Sequence, residues 1–439
     1  MFATPNLELR LQRRYQQLVT EQMNPTQAVA AGLRALPADG TAFASTQAAW
    51  RFYSNPAVSL PRLAEPLIAA AKQMLTDEGG DFALIIHDWS ELNDDLHTRK
   101  ADRIAICHKR SLGYSLQTAL LISDRDGTPI SPLSFSLWAS DGLYTTRQSQ
   151  VLADCSHLDE ITDTLAAISK MQLPKPVVHL IDRAADSVGH FRQWNDQGQV
   201  FVVRARAVPQ VEIEGEKRRL GRVAAGLSLR LGQAVAIAPG LIGQQLLAET
   251  QVTITRPAFP HRQKSGIKPP RERIYGEPLQ LRLVVSRIIL PDESLYAEWL
   301  LLTNLPESVT AERIAQWYVW RWKIESYFKL LKSSGHHLEP WQPESAEAIA
   351  KRLLVTAMAA VVIWQLARSQ TPESEQARNL LVRLSGRQMR RDRPVTESAM
   401  LAGLWTLLAT LSALEQYRLD ELRQVACLSL PGFFRYDTG

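Results

Sequence analysis

Apolar and polar positions follow three different rhythms along the 439-residue chain. Over residues 1–70, polar stretches with helical spacing alternate with turn signals at Asn24-Pro25, Pro37-Ala-Asp-Gly40 and Asn55-Pro56, which predicts a small helical domain. The pattern then tightens. Phe82-Ala-Leu-Ile-Ile86 is a short apolar run ending at His87-Asp88, the mark of a buried strand. Arg103–His108 and Tyr114–Ser123 predict further strands of a meander, and Cys155–Met171 has the period of a helix. Pro176–Asp182 is another strand ending in an acid, Ser187–Asn195 a short helix, and Gln199–Arg204 a third buried strand. Residues from about 207 to 297 are rich in Val, Ile, Gly and Pro with polar alternation, as in a β-rich insertion. The insertion contains a basic, Pro-containing loop, Arg256–Arg273. Glu298–Thr303 returns to strand character, helices follow over 309–332 and 345–368, and 373–384, 396–412 and 415–428 form a helical tail. The expected division is 1–70, 71–368 and 369–439, an α/β core flanked by helical segments.

The densest chemistry lies on the helix predicted at 309–332. Tyr318, Arg321, Glu325 and Lys332 form the spacing Tyr-x2-Arg-x3-Glu-x6-Lys. At about 100° per residue they share an arc of roughly 60°, which sets one carboxylate among a phenol and two cations. Trp317, Trp320, Ile324, Tyr327 and Leu331 form a separate stripe suited to a core. Arg321 and Glu325 alone could be a surface i,i+4 ion pair. Asp88 and Asp182 change that balance, because each ends an apolar strand where a sheet meets solvent. Two such carboxylates plus Glu325 suit two divalent ions about 4 Å apart, and Mg2+ suits a few carboxylates with positions left for water and phosphate. The competing account of each Asp is a turn or helix cap.

Composition narrows the class. The hydrophobic fraction of 45% supports full cores, and the net charge of +5 leans mildly toward polyanions. Basic residues cluster at Arg10/Arg13/Arg14, Arg256–Arg273 and Arg383–Arg393. Cys107, Cys155 and Cys427 lack metal spacing and suit reduced thiols in a cytoplasmic protein. No uncharged run is expected to reach the roughly 18 apolar residues of a membrane span, and no signal peptide is evident.

With these residues in view, the chain resembles the insertion-sequence-four family of DDE transposases, which includes the transposon-five enzyme. Leu84-Ile-Ile-His-Asp88, Asp182-Arg-Ala-Ala-Asp186 and the 318–332 signature carry the likeness. Trp299-Leu-Leu-Leu-Thr303 and Ala49-Trp-Arg-Phe-Tyr-Ser-Asn-Pro56 share its pattern. The resemblance implies an RNase H-like catalytic core with a β-rich insertion, an N-terminal domain that binds DNA ends and a C-terminal dimerisation domain. It implies cut-and-paste transposition through a hairpin intermediate on double-stranded DNA, both terminal repeats and target. Two Mg2+ ions, for which Mn2+ substitutes, would be held by Asp88, Asp182 and Glu325, with Asp88 bridging. Tyr318, Arg321 and Lys332 would grip phosphate, and Trp299 would stack on an extruded base unless it is plain core. Arg204, Arg206, Lys329 and Arg51 are expected at the DNA backbone, with surface solubility as the alternative account of each. Trp50 and Phe52 read as a mini-core beside Arg51, while Asp186 and His336-His337 are not expected to be ligands. A homodimer in a synaptic complex, in a prokaryotic nucleoid and away from membranes, is implied. Relative to the transposon-five enzyme, a shorter N-terminal segment is expected to alter end recognition, and the C-terminal tail is shorter as well. An RNase H-like nuclease without strand transfer and a non-catalytic transposition regulator are the alternatives.

Overall fold

A computed structural model describes residues 2–23, 42–77, 79–95, 100–106, 111–238, 241–259, 273–334, 345–387 and 395–429. The turns at 24–25 and 37–40, Cys107, His336-His337 and most of the basic 256–273 loop lie outside them. The chain forms two compact units, one of 1–66, 92–113 and 328–439 and the other of 67–91 and 114–327. The helical segment expected over 1–70 and the tail from 369 thus fall largely within the same unit.

The strands, in chain order, are β1 (Ala83–Asn93), β2 (Ile104–Ile106), β3 (Ser111–Ser123), β4 (Pro129–Ala139), β5 (Gly142–Thr145), β6 (Val177–Ile181), β7 (Phe201–Arg204), β8 (Gln210–Ile213), β9 (Glu216–Arg219), β10 (Arg230–Ala238), β11 (Leu241–Ile254), β12 (Leu279–Ile289) and β13 (Leu295–Thr303). In the second unit the sheet order is β5-β4-β3-β1-β6-β7-β13-β12-β11-β8-β9, with β10 also on β11. β1, β6 and β7 run parallel, whereas β7, β13, β12 and β11 alternate in direction. The region expected as a β-rich insertion therefore extends the central sheet. It also carries a short helix, Leu220–Gly226, that the sequence reading did not anticipate.

β1, β6 and β7 are apolar on both faces because both faces are covered. Ala71 and Leu75 pack with Ile85, Ala119 and Leu121. Leu158, Ile161 and Leu165 pack with Ile181, Val203, Leu283 and Leu302. The helix bearing Leu158, His157–Lys170, starts at Ser156, whose hydroxyl accepts the Asp159 N–H, as an N-cap does.

The helix expected over 309–332 is not continuous. Ala311–Trp320 and Lys323–Lys329 are separate α-helices, followed by a π-turn at Leu330–Ser334. At the break the backbone bonds shorten to i→i−3: Arg321 N–H to the Tyr318 carbonyl, Ile324 to Arg321 and Glu325 to Trp322. The single 60° arc computed for an ideal helix therefore does not hold across Arg321-Trp322.

In the first unit, Ala346–Arg368 is apolar around most of its circumference and serves as the core helix. Leu9–Gln22, Ala42–Tyr53 and Glu397–Gln416 contact it. Arg352 is fully buried, and burial lowers its pKa to about 9 against the pull of Tyr53 and Glu21. Glu397–Gln416 corrects the expectation about membrane spans. By length and composition alone it is apolar enough to cross one, and it contacts Ala346–Arg368 and Pro372–Leu384 in its own unit.

Candidate active site

Two acids begin the site. The parallel β1–β6 ladder ends at the pair His87↔Ile181, so the next residue on each strand is an acid, Asp88 and Asp182. Neighbouring strands lie about 4.8 Å apart, so both carboxylates start at one level of the sheet. The strands then differ. β1 continues to Asn93, which places Asp88 within a strand rather than at its end as expected. β6 stops, and Asp182 Oδ1 accepts the Ala184 N–H at 2.8 Å to cap the turn Arg183–Ala185.

Beneath the acids is a pair that the sequence reading passed over. His87 Nε2 and His179 Nδ1 are 2.9 Å apart, with both rings buried. Burial lowers the pKa of His179 to about 3, and burial with the neighbouring His179 lowers that of His87. Both rings are therefore neutral, one donating and one accepting. They tie the two acid-bearing strands together. The available signal was a histidine shortly before each acid, His87 before Asp88 and His179 before Asp182.

The break after Ala311–Trp320 delivers the remaining groups. Arg321 is 7% exposed, its Nη1 donates to Asp88 Oδ2 at 2.8 Å and its Nη2 lies 3.7 Å from Glu325 Oε1. Trp89 N–H donates to Asp88 Oδ1 at 2.9 Å. Burial raises the pKa of Asp88 more than Arg321 lowers it, and Asp182 adds repulsion. Glu325 is raised too, first by partial burial and then by Asp88, against the pull of Arg321. Tyr318 is buried beside Arg321, and desolvation pushes its phenol up to about 12.

The other expected contacts divide. Trp299 is 7% exposed and its ring lies 5.6 Å from that of Tyr318, so in this arrangement it is core. Arg204 and Arg206 line a cavity of about 640 Å³ with Asp182, Arg183 and Glu298. Arg183 was not singled out from the sequence. Asp186, buried, accepts the Arg206 backbone N–H at 2.8 Å and pairs with Arg256, so it fixes this wall rather than facing the acids. Lys329, Lys332 and Arg51 belong to the other unit. Lys329 and Arg51 are exposed there and Lys332 is half-buried. Arg51 shares a cavity of about 670 Å³ with Arg10, Arg13 and Arg14.

Residues 146–362 match the family model of the transposase DDE domain. The chain carries a transposase DDE domain. Enzymes of this class are metal-dependent and cut and join DNA, generally with Mg2+. Asp182 and Glu325 fall inside the matched DDE region, and Asp88 precedes it. No curated protein matches the chain. A cryo-EM structure of the piggyBac transposase synaptic complex with hairpin DNA is similar over 96% of this chain and 76% of that one. The TM-score is 0.40 and the identity 10%.

The donor chemistry suits a divalent cation, since Asp88 is repelled by Asp182 and repels Glu325, and the pKa values of Asp88 and Glu325 are raised. Their placement does not. Among the described residues no three Asp, Glu, His or Cys side chains are gathered so as to hold a metal ion. The expected clasp of three acids on a shared ion pair is thus not formed here. Asp182 is turned to its cap, and Arg321 stands between Asp88 and Glu325.

The raised proton affinity of Asp88 has a consequence for stability. A carboxyl whose folded pKa exceeds its unfolded value, about 3.9, stabilises the fold below that value. The contribution disappears as pH rises through the folded pKa. Asp88→Asn mimics the protonated state, so without metal it should raise Tm near pH 7 and flatten its decline from about pH 4 upward. Thermal melts across that range test this, and a lower Tm for the variant near neutral pH would contradict it.

Proposed function

We propose that the chain is a cut-and-paste DNA transposase of the insertion-sequence-four type, similar in mechanism to the transposon-five enzyme. The observation that carries this reading is the level placement of Asp88 and Asp182 on parallel strands, with Arg321 of the Tyr-Arg-Glu-Lys segment reaching Asp88. The strand order β4-β3-β1-β6-β7, with β1, β6 and β7 parallel, supports an RNase H-like core around them.

In this reading Asp88, Asp182 and Glu325 hold divalent ions, two Mg2+ with Mn2+ as substitute. Bound there, the ions would acidify an attacking water or 3′-hydroxyl and stabilise the leaving oxygen. The chain's own cations do the positioning. Arg204, Arg206 and Arg183 offer phosphate contacts beside Asp182, where a strand can be held in register without reading its bases. Arg321 exchanges its carboxylate partners for phosphate, as a guanidinium fork readily does. Buried Tyr318 backs it. A base-stacking role for Trp299 is left out, since Tyr318 covers its ring. The cavity lined by Arg10, Arg13, Arg14 and Arg51 supplies a separate basic surface for duplex ends. Lys329 and Lys332 remain candidate backbone contacts. Hydrolysis at the transposon end, hairpin formation, hairpin opening and joining of 3′ ends to target DNA complete the sequence, carried out by a homodimer on paired ends in a prokaryotic cytoplasm.

The test is incubation of the purified full chain with Mg2+ and DNA bearing the inverted repeats that flank its coding sequence. Hairpinned ends and joined products are expected. Plain cuts would make it a nuclease, and binding alone would make it a regulator.

A further inference from the structure

Arg321 occupies an unusual position for a phosphate-gripping residue. It is buried, one guanidinium nitrogen bonds Asp88 at 2.8 Å, another faces Glu325 at 3.7 Å, and its Nε has no hydrogen-bond partner. Trp322 and Tyr318 flank the guanidinium, with ring centroids 5.2 and 5.8 Å from it. A group placed between two acids of one site serves as their counter-ion. The i→i−3 bonds at Arg321-Trp322 bring it there by breaking the helix between Tyr318 and Glu325.

We propose that Arg321 is the internal counter-cation of the free protein, bonded to Asp88 and facing Glu325, and that metal loading on these acids requires its guanidinium to leave. The inference rests on the reading of Asp88 and Glu325 as metal-holding acids. Its physical basis is like-charge exclusion. An ion bound by both acids would sit against a guanidinium in a partly desolvated site, where two cations repel strongly. A phosphodiester resolves the conflict by giving the guanidinium another bidentate partner. Metal and DNA then favour each other's binding, and reciprocally so, because each removes the same obstacle. The free protein is thereby kept from loading a cleavage-competent ion before a DNA strand is in place. Arg321 is a positioning residue in this scheme, acting on the metal through the acids.

The experiment is Mn2+ titration of the full chain without DNA, followed by the electron paramagnetic resonance signal of the free ion. Arg321→Gln should bind Mn2+ about tenfold more tightly than the unaltered chain, the loss of one close charge repulsion. Removing any cation raises Mn2+ affinity a little, so Arg206→Gln, at an exposed side chain on the cavity wall, is the control. An equal gain in that variant would overturn the proposal. Should Arg321→Gln fail to fold, Arg321→Lys replaces it. A lysine ammonium cannot span both carboxylates as the guanidinium does, so a gain of about threefold is expected. No gain at position 321, with binding reduced in Asp88→Asn, overturns the counter-cation and leaves the metal reading standing. No gain there and none lost in Asp88→Asn removes both.

Discussion

Glu325→Ala loses every DNA cleavage product while the protein still folds and still binds DNA ends. Glu325 faces both Arg321 and, through their mutual repulsion, Asp88. On the proposed assignment of Glu325 as a metal-holding acid, removing its carboxylate should cost several kcal/mol of transition-state stabilisation, or at least about 10³-fold in rate. The fold is insulated from the change because the side chain is 49% exposed and its nearest ion-pair contact is the loose 3.7 Å approach of Arg321. Stability should therefore move by no more than about 0.5 kcal/mol, as at other surface positions. Single-turnover cleavage on pre-cut and uncut ends, together with a thermal melt, separates the two effects. Cleavage within tenfold of the unaltered chain would remove Glu325 from the acid set.

Arg282→Leu should destabilise the second unit, and it acts on the site from a distance. Arg282 lies on β12, buried, with its guanidinium bonded to Glu249 and to the carbonyls of Pro306 at 3.2 Å and Val309 at 2.6 Å. Those carbonyls belong to the turn just before Thr310, the N-cap of Ala311–Trp320, which carries Tyr318 and leads into Arg321. Leucine fills part of the volume but takes the donor from the Val309 carbonyl, leaves the Pro306 carbonyl with only the Val309 N–H, and leaves Glu249 with only the more distant Arg230. Glu249 is about a third exposed and is screened by water, so the cost is that of the lost charged hydrogen bonds to the buried carbonyl side, about 2 kcal/mol. For a unit of this size that corresponds to a fall in Tm of roughly 5 °C. A loss below about 1 kcal/mol would mean the turn is held by other contacts. Cleavage should decline with the fraction of folded protein rather than through any change in metal affinity, and titration at a temperature where the variant is folded checks that.

Much of the site was legible because its residues sit at the ends of strong local signals. The runs before Asp88 and Asp182 are apolar on consecutive positions, a pattern that arises when a strand is covered on both faces. Tyr318, Arg321 and Glu325 were legible as a spacing. Their geometry was not, because a helix break costs little when i→i−3 bonds replace i→i−4, and no Pro or Gly marks it. The histidine pair escaped notice since each histidine sits on an apolar run like any satisfied core residue. Pairing across β1 and β6 is a long-range event. The contacts of Asp186 with the Arg206 backbone and with Arg256 were not legible either, since they join side chains and backbone far apart in sequence.

The amino-acid order alone determined which strands are buried, where the acids fall on them and which cations accompany Glu325, since periodicity and spacing are local properties. Tertiary structure alone decided the partner of each charge. Arg321 lies on Asp88, 233 positions away, because packing brings β1 beside the broken helix and an unpaired buried guanidinium is costly. It also decided that Trp299 is covered, that the insertion lengthens the central sheet, and that the three acids stand apart with a protein cation among them.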